Sequence, residues 1–172
     1  MSTKQEEIYL KDTYLSSQYE DSNFAEDQLL DFDSVETKVL FKVPEVPSIG
    51  VEDVELCLYH VYGHGGFNEI NYDDFTLHFI EKEWKLNKVT MENFDMNSIG
   101  KEVSKKRVST SAGLKCFDIN KKNWATLQVE GHGLIMHTPA SDDFHSRIFK
   151  SSASQVTTVP NLVPFDRTFD FK

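Results

Sequence analysis

At 172 residues the chain has room for one domain with a single sizeable core. Its 28 acidic against 18 basic residues give a formal net charge of -10, a balance that repels polyanions and argues against nucleic acid as a partner. No apolar run approaches the roughly 20 residues of a membrane span, so membrane insertion is not expected.

Residues 1–10 read as a polar N-terminal arm without the basic, then apolar, then small-residue order of a signal peptide. One domain is expected over 11–166 and a short tail over 167–172. In the acidic stretch YEDSNFAEDQLLDFD (19–33), Glu20, Asp21, Asn23, Glu26 and Asp27 gather hard oxygen donors around a bend. Calcium prefers that donor set, although the spacing is not that of an EF-hand; these five are candidate calcium ligands, with a solvated acidic loop as the plainer alternative.

From there the hydrophobic period is mostly two. TKVLFKV (37–43) sets Val39, Phe41 and Val43 against Lys38 and Lys42, a half-buried strand stopped by Pro44 and Pro47. VEDVELCLYHVY (51–62) sets Val54, Leu56 and Leu58 on a core face against Glu55, Cys57 and Tyr59. GHGGF (63–67) reads as a turn between strands: no Gly-x-Ser-x-Gly elbow accompanies it to make an oxyanion loop, and no Gly-Lys-Ser/Thr to make a phosphate cradle.

Further strands are expected in FTLHFIEKEW (75–84), GLKCFDI (113–119), ATLQVEG (125–131), GLIMHTP (133–139), SRIFKSS (146–152) and PNLVPFD (160–166), divided by Gly, Pro, Asn, Asp and Ser clusters. Helical turns are expected only near TMENF (90–94) and DINKKNWA (118–125). SSASQVTT (151–158) reads as a Ser/Thr-rich loop. Many short strands and 13 Phe predict an all-β, antiparallel, jelly-roll-like sandwich. Phe169 and Phe171, on the tail, are expected to make assembly contacts, since free aromatics gain nothing unless they pack.

Two cysteines, Cys57 and Cys116, are too few for a disulfide framework and too far apart for a clustered zinc site. Two buried free thiols are expected, with one long-range bridge as the alternative. No Asn-x-Ser/Thr glycosylation acceptor occurs. The six histidines show no His-x-His or His-Glu-x-x-His pairing, so no transition-metal centre is expected.

The order of these pieces resembles the DNRLRE family of β-sandwich modules, related to jelly-roll carbohydrate-binding modules and to the disaggregatase-related domain. DTYLSS (12–17) followed by SNFA (22–25) is similar to the family's opening strand and Asn-aromatic-small turn. KVLFKVPEVP (38–47) and VEDVELCLYHV (51–61) are similar to its Pro-terminated strand and its Ala-x-Leu-x-Leu-Tyr strand. Trp84 with Val89, Thr90 and Asn93 matches the Trp, then Val-Thr-Trp-Asn, signature. CFDINKKNW (116–124), GHGLIM (131–136), FHSR (144–147) and PNLVPF (160–165) follow in family order.

Met91 stands where the signature has its second Trp, Cys57 where the family tolerates a polar residue, and Ala25 where Gly is usual. Trp84 is expected to end a strand and fold its indole over the edge of the core, with Thr90 or Asn93 satisfying the turn.

The resemblance implies non-catalytic work, not an enzyme: a structural or adhesion module whose partners are other subunits, as in a bacteriophage head, tail or fibre accessory, on a virion or outside the cell. The alternative it implies is a carbohydrate-binding module for surface polysaccharide, calcium-assisted. In that reading Tyr59, Tyr62, Phe67, Tyr72 and Trp124 are the aromatics expected to stack on sugar faces.

Overall fold

The computed structural model describes residues 7–33, 37–43, 54–64, 72–109, 111–137, 146–150 and 155–158. In chain order these form β1 (Glu7–Tyr9), β2 (Lys11–Ser16), β3 (Leu29–Asp33), β4 (Thr37–Lys42), β5 (Val54–His64), β6 (Tyr72–Ile80), a 3-10 turn (Met96–Ser98), β7 (Ile99–Ser109), β8 (Gly113–Ile119), helix α1 (Lys121–Glu130), β9 (Leu134–His137), β10 (Ser146–Lys150) and β11 (Gln155–Thr158). Every strand pair among them is antiparallel. One sheet runs β1-β11-β5-β10-β3, with β8 on the other flank of β5; the second runs β2-β4-β9-β6-β7. The expected all-β class is the observed one. Among the described residues no helix is long and apolar enough to cross a membrane.

The main core lies between the sheets and follows the pleat. Val54, Leu56 and Leu58 of β5 face Phe41 of β4 and Leu77 of β6 in one buried cluster, as the alternation in β5 predicts. Phe32 and Phe75 meet edge to face there, with ring centres 4.7 Å apart.

The structure departs from the sequence expectations in several places, each for a local reason. ATLQVEG is helix, not strand. The Asn120 side chain caps α1 by accepting from the Asn123 N–H at 2.8 Å, and Trp124 and Leu127, three apart, enter the core. The apparent alternation Leu127/Val129 was accidental, since Val129 is 82% exposed. IGKEVSKKRVS, a charged run without clear period two, is the long edge strand β7. Irregularities in its pairing with β6 allow Val103 and Val108, five apart, both to join the core.

The end of SSASQVTT is strand β11, hydrogen-bonded between β5 and β1. Within the acidic stretch, residues 29–33 are β3, with Leu30 and Phe32 buried. PNLVPFD lies outside the described residues.

β4 is not half-buried. Val39, Leu40 and Phe41 are all fully enclosed, because the second sheet is covered on its outer face as well. Leu15, Leu40, Ile80 and Ile135 point outward from that sheet into a second apolar cluster with Trp84, Val89 and Phe94. The cover is the connection between β6 and β7, residues 81–98.

Candidate functional site

The covering segment is pinned by side chains aimed at main chain. Trp84 is 6% exposed, and its indole N–H donates to the His132 carbonyl. Lys42 reaches up from β4 to donate to the Trp84 carbonyl at 2.5 Å, its ammonium 4.5 Å from the indole centre. Thr90 and Asn93 close the next turn reciprocally: the Thr90 N–H donates to Asn93 Oδ1 at 2.8 Å and the Asn93 N–H to Thr90 Oγ1 at 3.2 Å. Trp84 therefore packs and Thr90 and Asn93 satisfy the turn, as expected, but Trp84 does not end a strand: β6 stops at Ile80, and the indole belongs to the covering segment. Met91 packs against the same cluster and offers no platform.

Gly133 lets β4 lie close to the start of β9, beneath the Trp84 indole. Its φ of +92° suits glycine, and a Cβ there would fall 2.1 Å from the Phe41 carbonyl oxygen. A shallow cleft of about 260 Å³ opens along the segment, with Trp84, Val89 and Phe94 behind it and Lys85 and Lys88 at its mouth. Lys82, also at the cleft, pairs with Asp95. That ammonium, helped by the Asn97 N–H, holds the Asp95 carboxyl below its usual range.

The acidic loop docks against this cover, and the docking spends one of the candidate calcium ligands. Asn23 Nδ2 donates to the carbonyls of Leu86 and Val89, both at 2.8 Å, while its Oδ1 accepts from the Ala25 N–H at 3.2 Å. The Glu20 carbonyl accepts from the Glu92 N–H at 2.9 Å. Glu20, Asp21, Glu26 and Asp27 are exposed, and Asp27 accepts from the Tyr14 hydroxyl at 3.3 Å. No three of these carboxylates bring one oxygen each within 4.8 Å of one another. The four carboxylates thus share a loop with Asn23 without three of them converging on one point.

What the loop does assemble is aromatic. Tyr14 and Phe24 stack at 4.2 Å with planes 10° apart, and Tyr19 meets Phe24 edge-on at 6.5 Å. Burial, then the Asp27 carboxylate, push the Tyr14 hydroxyl pKa well above its ordinary value, so Tyr14 stays neutral and keeps donating. Tyr19 is 60% exposed beside Glu20 and Asp21. This trio escaped the sequence reading because Tyr14 and Phe24, ten residues apart, meet only through the fold; the clustering of Tyr19 and Phe24 inside an acidic bend was its one visible sign.

The aromatics chosen from sequence do not converge. Trp124 is fully enclosed in the main core, so the expectation that it stacks on a ligand is corrected: the helix that carries it turns it inward. Tyr59 is half-buried on β5 opposite Leu114 of β8. Tyr62 and Tyr72 are placed by register alone, opposite Ile148 and Ser109. Phe67, Phe169 and Phe171 lie outside the described residues.

Cys57 and Cys116 face each other in register on β5 and β8, with Cα atoms 4.1 Å apart, and are joined in a disulfide. The expectation of two free thiols is corrected; antiparallel pairing brings together residues 59 positions apart. Glu55 shares their face of the sheet, its Oε2 3.8 Å from Cys57 Sγ, and all three side chains are buried. Among the described residues this is the one trio of metal-capable side chains whose ligand atoms lie within 4.8 Å of one another.

His60, His78 and His137 make structural contacts. His60 Nδ1 donates to the Ser111 carbonyl at 2.7 Å, and His78 Nδ1 to the Gly100 carbonyl at 2.9 Å. The rings of His78 and His137 lie 4.5 Å apart on neighbouring strands β6 and β9. No family model and no curated protein matches this chain.

Proposed function

We propose that this chain is a non-catalytic structural and adhesion module, a subunit of a larger assembly of the virion-accessory kind, akin to the DNRLRE sandwiches it resembles. The observation that carries this reading is where polar side chains point. Asn23, Lys42, Thr76, His78 and Trp84 each direct a side-chain nitrogen or hydroxyl at a main-chain carbonyl of another segment. Groups so committed hold loops to sheets, whereas acid-base or nucleophilic work needs them aimed at open space.

The buried disulfide supports a working place outside the reducing cytosol, such as a virion or cell surface. The test is the mass of the purified full chain by light scattering across a concentration series, in parallel with a glycan array. Self-association, or a defined complex with a co-expressed subunit, supports the assembly role. A monomer at every concentration that retains glycan overturns it.

One observation favours the second reading, carbohydrate binding. The Tyr14, Tyr19 and Phe24 cluster sets an exposed ring beside carboxylates that accept from hydroxyls. Under that reading Tyr19→Ala abolishes retention on the array while leaving the circular dichroism spectrum unchanged.

A further inference from the structure

The Cys57, Cys116 and Glu55 trio carries more chemistry than a staple requires. Glu55 is 5% exposed and lies on the same buried face of β5 as Cys57, with one ligand atom from each of the three side chains within 4.8 Å of the others. Around a tetrahedral zinc ion with bonds of ~2.3 Å to sulfur and ~2.0 Å to oxygen, neighbouring sulfur and oxygen ligands stand roughly 3.5 Å apart and two sulfurs roughly 3.8 Å. Glu55 Oε2 already stands 3.8 Å from Cys57 Sγ. Directly opposed positions on β5 and β8 leave two freed sulfurs side by side on one face, so modest side-chain rotation separates them to the spacing an ion needs.

We propose that the reduced protein binds one zinc-like divalent ion through Cys57, Cys116 and Glu55, so that this position is clamped covalently when oxidised and by metal when reduced. A dithiol reductant takes the disulfide to two thiols and is itself oxidised to its own disulfide. The ion then binds both sulfurs as thiolates, releasing two protons, with Glu55 as third ligand and water as fourth.

The charge balance favours the exchange. A neutral disulfide beside one carboxylate carries -1; a doubly charged cation with two thiolates and the same carboxylate also carries -1. The buried site therefore exchanges one clamp for the other without gaining net charge. In both states β5 stays tied to β8 at the same register.

The experiment uses the full chain, reduced by a water-soluble phosphine, with the two free thiols counted before titration with cobalt(II). The expected result is a thiolate-to-cobalt charge-transfer band saturating at one ion per chain, bleached by zinc. The oxidised protein gives no band, Cys57→Ser loses it, and Glu55→Gln weakens binding at least tenfold. Reduced, folded protein with two counted thiols and no band overturns the proposal, as does a Glu55→Gln variant that binds like the parent. Where reduction alone unfolds the chain, reduction in the presence of zinc must preserve the circular dichroism spectrum; loss of fold there overturns the proposal equally.

Discussion

The two sheets are secured in opposite ways. The sheet built on β5 is held by a covalent bond between strands, while the sheet built on β4 is held by a lid of ordinary side chains, with Trp84 at its centre. A disulfide acts largely by restricting the unfolded chain and answers to redox conditions. The lid acts in the folded state through buried apolar area and hydrogen bonds, and is blind to redox. Nearly every polar anchor near the candidate site belongs to the second device, which joins the loop 19–27 and the segment 81–98 into one continuous surface.

This contrast can be broken most forcefully at Trp84. Trp84→Ala removes the largest side chain of the lid and orphans the His132 carbonyl, and is expected to cost about 3–5 kcal/mol in urea unfolding, equally in oxidised and reduced protein. Next comes reduction of the disulfide without metal, which opens a loop of 59 positions and is expected to cost about 2–4 kcal/mol. Because the two sites share no partner, the combined loss should be additive to within about 0.5 kcal/mol; a larger coupling would mean the sheets do not stabilise independently.

Asn23→Ala deletes two bonds to the lid and is expected to cost about 1–2 kcal/mol, with faster amide exchange at Leu86 and Val89 but not at Cys116. The smallest effect is at Asp95. Its folded pKa lies below the unfolded value, so its contribution is present above the unfolded pKa, near 4, and fades as pH falls through the folded one. Asp95→Asn should flatten the acid limb of the stability profile slightly and leave pH 7 nearly unchanged; an unaltered acid limb would remove Asp95 from the account.

How much of this was legible depends on whether the cause is local. The inward set Val54, Leu56 and Leu58 and the packing role of Trp84 follow from alternation and from apolar bulk, both visible in a short window. β7 was hidden because irregular pairing breaks its period and charge masks its two valines. The start of helix α1 is visible in DINKKNWA, but its second half is hidden because the Trp124/Leu127 face is short and Val129 mimics a strand. The disulfide and the aromatic trio are facts of register and docking, so no window of sequence contains them. The double cover of β4 is of the same kind: only Leu40, apolar between two lysines, hinted at an occupied outer face.

The charged edge strand β7 has a bearing on how copies of this protein can meet. It presents Lys101, Glu102, Lys105 and Arg107 to solvent, with Arg107 held to Asp74 at 3.2 Å on the neighbouring strand. A second strand laid along that margin would have to strip water from these charges, the penalty by which natural sheets resist unlimited edge-to-edge growth. Sheet extension from one copy to the next is therefore disfavoured along this border, whatever the chain binds elsewhere.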